Sequence, residues 1–177
     1  MFMKSGAYRF FLFAGAVAVL VALLKLLNWL PLAAQKDLLR EYRDLEDART
    51  ASGIHQALAP SYFPQNLSWP PSTIFAQGTP FPALVMEFER IGGKETVLII
   101  SQAESETFFP RERIPFRQVK ERVPYSLKGR EALLEVGVGP QDEPCAGIEW
   151  REGRTRIVVR AKTSPFELIK IAESMLR

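Results

Sequence analysis

The sequence predicts an α+β domain standing behind an N-terminal transmembrane helix. Three observations predict it: an apolar run at residues 10–30, strand-like alternation in several segments between 83 and 161, and a capped amphipathic helix after residue 164. Together they imply an antiparallel sheet of five or six strands with the C-terminal helix packed on it.

The apolar run reads FFLFAGAVAVLVALLKLLNWL, 21 residues interrupted only by Lys25 and Asn28. About 20 apolar residues suffice to cross the ~30 Å hydrocarbon core of a bilayer. Lys25 lies near the far end, where its long stem can carry the ammonium to the interface. Tyr8 and Trp29 stand near the two ends, at headgroup depth, and Pro31 closes the segment. Lys4 and Arg9 precede the run with no acid among them. The positive-inside rule therefore places residues 1–9 in the cytoplasm and makes 10–31 a transmembrane signal anchor. Everything after it is expected to be extracytoplasmic. A signal peptide cleaved after Ala34 is the alternative, although the run exceeds the usual signal core of about 7–15 residues.

At 100° per residue, Ala14, Ala18, Ala22, Lys25 and Asn28 fall near one side of this helix. Small residues let a second helix approach closely, and a polar group can bond across the contact. This is the expected contact face for a helix partner or a second copy.

Residues 32–59 follow as an expected amphipathic connector helix. Leu38, Leu39, Tyr42 and Leu45 recur at helical spacing between charges. Residues 60–82 hold six prolines in 23 residues, which argues against a long helix or a central strand. Their aromatic content argues equally against a free linker. An ordered arm packed on the domain of residues 60–177 fits both, with Tyr62, Phe63 and Trp69 as candidate lining of a ligand or partner groove.

The strands are read from alternation. In 83–90, Leu84, Met86 and Phe88 share one face and Glu87 and Glu89 the other. Residues 91–94 form a turn and 95–102 a buried return strand. Residues 108–124 carry three prolines and are expected to cross irregularly before a short strand. Residues 130–138 alternate again, 139–147 form a loop, and 148–151 pairs with 155–161 around Glu152-Gly153-Arg154. Ser164-Pro165-Phe166-Glu167 reads as a capping box opening the last helix. Phe166, Ile169, Ala172 and Leu176 supply its expected buried stripe.

Charge and composition restrict the function. Lys4, Arg9 and Lys25 account for the whole net charge of +3, because 20 basic and 20 acidic residues follow them. The basic balance reports topology and an anchor, not a nucleic-acid partner. The chain has one cysteine, Cys145, and one histidine, His55. That excludes an intramolecular disulfide framework and a cysteine-cluster zinc site. A nucleophile needs a base beside it, and the sequence offers no such constellation. No phosphate-binding glycine loop, HExxH or GxSxG is present, so neither enzyme activity nor a cofactor or metal is expected. Arg111, Arg113, Arg117, Lys120 and Arg122 form a candidate patch for an anionic surface. The competing reading is a solvated sheet edge, where such charges discourage pairing.

Three ordered segments carry a resemblance: residues 128–132 (KGREA), 145–150 (CAGIEW) and 167–175 (ELIKIAESM). They resemble an extracytoplasmic domain family found beyond the membrane helix of sporulation and anti-sigma-type bacterial membrane regulators, which implies that the anchor sits in a bacterial inner membrane. The resemblance covers about a third of the chain, and its motifs are structural. It implies an α+β sensory or interaction domain and no activity. The expected function is thus a membrane-anchored, non-enzymatic domain that binds a protein or envelope component, with a sensory or regulatory role. The alternatives are an accessory subunit of a membrane complex and a lipid or lipoprotein carrier.

Overall fold

The computed structural model describes residues 13–15, 17–21, 23–25, 39–54, 56–106, 108 and 114–176. The chain divides into two compact units, Met1–Leu39 and Arg40–Arg177. In the first, the described residues between 13 and 25 are helical and their side chains exposed, Ala14, Ala18 and Lys25 among them. Ala22, Asn28 and most of the expected anchor lie outside the described residues. Among the described residues no helix is long and apolar enough to cross a membrane.

Among its described residues the second unit is built on one antiparallel sheet of eight strands, not five or six. Its elements are β1 (Arg40–Tyr42), α1 (Leu45–Ser52), β2 (Thr73–Gln77), β3 (Ala83–Glu89), β4 (Thr96–Ala103), β5 (Gln118–Leu127), β6 (Arg130–Val138), β7 (Pro144–Glu152), β8 (Thr155–Ala161) and α2 (Pro165–Ser174). The spatial order is β1-β2-β3-β4-β8-β7-β6-β5. Two meanders therefore meet where β4 pairs with β8, and β1 and β5 form the edges.

Several expectations are corrected. The connector is not one helix, because Arg40–Tyr42 pairs with β2 and the helix starts only at Leu45. Asp44 fixes that start: its carboxylate accepts the Glu46 backbone N–H at 2.6 Å. Gly53, at φ 73°, ends the helix in a conformation that favours glycine. The proline-rich arm does hold an interior strand. Thr73–Gln77 contains no proline, and Pro71 and Pro80 flank it instead of interrupting it. The expected short strand after the crossing is the ten-residue β5, in which Pro124 is tolerated because the strand is an edge. Pro144 and Cys145 open β7 and are not loop residues.

The sheet's two faces are read from its register. On one face Met86, Ile100, Val159, Ile148 and Leu134 lie side by side across five strands. This row forms the main core, over which α2 and the arm pack, while α1 covers Ile74, Ala76 and Leu84. The α2 stripe matches expectation at Ala172 and Leu176, which are buried, but its centre lies on the flanking Leu168, Ile171 and Met175, and Phe166 is 78% exposed. The spacing i, i+3, i+4, i+7 of the buried set gives the tighter stripe. Ser164 caps the helix, its hydroxyl accepting the Glu167 N–H at 3.4 Å.

Candidate functional site

The second face of the sheet is polar along β5 to β8. Two neighbouring rows cross it. One runs Arg122, Glu135, Gly147, Arg160, and the next runs Pro124, Leu133, Glu149, Val158. Alternation puts these residues opposite the core. Glu149 receives two hydrogen bonds from Arg156, at 2.6 and 2.7 Å, and Arg156 also donates to the Phe108 carbonyl at 3.2 Å. Phe108 and Ile114 are buried, and the Phe116 ring centroid lies 5.5 Å from the Arg160 guanidinium carbon. The chain between β4 and β5 thus contacts the second face at Arg156 and Arg160.

Beyond these contacts the face stays open as a trough of about 970 Å³ over β5, β6 and β7. Pro124 and Leu133 form its apolar floor, with Ser126, Glu131, Glu149 and Arg151 around them. Most of its charges are already paired. Arg151 meets Glu106 and Glu149 holds Arg156, while Arg130 meets Glu152 on the core side of the sheet. The Arg151–Glu106 pair is exposed and worth about 0–1 kcal/mol, so it exchanges partners at low cost, whereas the Arg156 side chain is largely buried. A mixed floor and an exchangeable charged rim suit another macromolecule's surface better than an engulfed small ligand.

The residues singled out from sequence fall elsewhere. Phe63 and Trp69 lie 4.5 Å apart by ring centroids, and both pack on Phe88. The aromatic groove is therefore filled by its own rings, with Trp69 left 55% exposed. Tyr62 donates its hydroxyl to Glu167 on α2, whose second carboxylate oxygen is 3.6 Å from Lys170. That bond, with burial and the Glu167 charge, raises the Tyr62 pKa. Of the candidate basic patch, Arg117 pairs with Asp142 and Arg122 with Glu135, while Lys120 is exposed on the edge strand. Arg111 and Arg113 lie outside the described residues, as does His55. Cys145 is buried, and burial pushes its thiol pKa up, with Glu143 adding to the rise and Lys162 opposing it.

Sequence reasoning passed over Leu133, Glu149 and Arg151. The alternation of 130–138 already separated Leu133 and Glu135 from the core residues Ala132 and Leu134. It did not show which strands would stand beside them. No protein-family model, curated protein or solved structure matches this chain.

Proposed function

We propose that this is a single-pass membrane protein whose extracytoplasmic α+β domain binds a protein or envelope component through the trough, with no reaction of its own. The trough's make-up carries the reading: an apolar floor of Pro124 and Leu133 beside the Arg151–Glu106 and Arg156–Glu149 pairs. Such a patch gains modestly from apolar burial and draws its specificity from charge placement. The anchor rests on the 21-residue apolar run and on the acid-free flank before it. The resemblance of the C-terminal segments to domains of membrane regulators supports the same class.

Photo-crosslinking in intact membranes tests it. A benzophenone side chain placed at Leu133 is expected to give one discrete adduct, lost when Arg151→Glu is added. A carbonate wash that releases the protein would sink the anchor. Equal adducts from Leu133 and from the exposed control position Lys94 would sink the trough.

A further inference from the structure

The hairpin joining β5 to β6 turns through two residues, Lys128 at φ 47° and Gly129 at φ 82°. Positive φ at both positions marks the type I′ turn, which is flanked by a hydrogen-bonded pair. That pair is Leu127 and Arg130. Bonded and non-bonded pairs then alternate along an antiparallel ladder. Tyr125–Ala132 and Val123–Leu134 are bonded, so Ser126, Pro124 and Arg122 aim their backbone polar groups away from β6. Among the described residues no strand lies on that side, because β5 ends the sheet. Its residues 118–124 are all exposed.

From this arrangement we infer that the β5 edge is closed to strand addition, with Pro124 as the closing residue. An incoming antiparallel strand would need an outward N–H at every second residue of β5. Arg122 and Ser126 supply one each, and Pro124, between them, has none. The facing carbonyl would be buried without a donor, and the pyrrolidine ring would occupy its place. Further along, the register shift between Val119 and Glu121 leaves Lys120 as an extra residue, which bends the edge out of plane. Proline, lysine and a bulge on one long edge are the devices by which sheet proteins avoid edge-to-edge pairing. The occupant excluded most directly is a second copy of this chain, whose β5 is the same edge.

Amide hydrogen exchange on the full chain in mild detergent, over a range of protein concentrations, tests this directly. In the parent protein the Arg122 and Ser126 amides should exchange within about tenfold of free-peptide rates at every concentration. Pro124→Val restores the donor without changing the strand, and should make exchange at these two amides slow by more than about tenfold as concentration rises. Adding Ser126→Pro to that variant removes the next outward donor and should return Arg122 to parent behaviour. Protection of Arg122 and Ser126 in the parent chain would overturn the inference. So would a Pro124→Val protein with native near-UV circular dichroism and unchanged exchange at every concentration. If Pro124→Val does not fold, Pro124→Thr is measured by the same criteria.

Discussion

Glu135 and Arg160 approach to 3.8 Å across Gly147, a residue with no side chain to separate them. The same carboxylate accepts the Arg122 Nε–H at 2.7 Å, so one acid on β6 joins arginines from β5 and β8. A methyl group on Gly147 would sit 3.4 Å from Arg160 Cγ and 3.7 Å from Phe116 Cε2. Gly147→Ala is therefore expected to cost less than about 1 kcal/mol, and Gly147→Val about 1–3 kcal/mol through overpacking. At neighbouring Gly137 the added carbon would collide with the Gln118 carbonyl, which belongs to the backbone and cannot swing aside. Gly137→Ala should exceed Gly147→Ala in chemical denaturation, and the reverse order would refute this packing.

The α2 face makes a sharp contrast. Leu168 is fully buried, while Phe166 is exposed despite its larger apolar side chain. Leu168→Ala is expected to destabilise by about 2–5 kcal/mol. Phe166→Ala should stay within about 0.5 kcal/mol. Similar losses for both would mean that the helix is rotated from the orientation described.

Lys162 ties two acids together, with Glu95 at 2.8 Å and Glu143 at 3.3 Å. The Lys162 hydrogen bond is the main cause that holds Glu95 below its ordinary 4.5. Glu143 is also held below 4.5, chiefly by its own backbone N–H and then by that of Gln141. The Glu95 hydrogen bond raises Lys162 above its ordinary 10.5. A lowered carboxylate pKa gives stability that is present above the unfolded value and is lost as pH falls through the folded one. A raised ammonium pKa gives stability that is present below the unfolded value and is lost as pH rises through the folded one. The cluster should leave stability level near neutrality and erode it on the acid side of 4.5 and the alkaline side of 10.5. Lys162→Met should shrink both declines. Profiles parallel to the parent at both ends would contradict it.

The segment that leads into the arm is held by polar contacts. Gln102, on β4, donates to the Leu58 carbonyl at 2.7 Å and accepts the Leu58 N–H at 2.8 Å. Gln102 is fully buried and Leu58 half-buried, so both bonds are largely shielded from water. Gln102→Leu is expected to cost about 1–3 kcal/mol by stranding the two Leu58 groups. Hydrogen exchange across residues 56–67 should rise more than across β4. A uniform rise would show that the arm is no separate layer.

Much of this domain is legible in its sequence. The strands at 83–89, 130–138 and 155–161 announce themselves by alternation, and Ser164-Pro165 marks the start of α2. β1 could not be read, because three residues carry no period and their neighbours imitate a helix. β2 was hidden by prolines that lie on either side of it. The trough was illegible for a different reason. Pro124, Leu133 and Glu149 meet through strand pairing, and in isolation each looks like an ordinary surface position.

The strand order has a consequence for how the chain assembles. Apart from β1 and β2, which α1 and much of the arm separate, each meander closes through neighbouring hairpins, so most of its contacts are local and form early. The single pairing of β4 with β8, from Leu98–Ala161 to Ala103–Arg156, must bridge some sixty positions of chain. Until it forms, β4 presents Val97-Leu98-Ile99-Ile100 as a bare apolar rim, a ready template for misassembly. The two meanders are therefore complementary halves. Cut between Ala103 and Gln118, they should recover one fold only when mixed, and each alone should be prone to self-association.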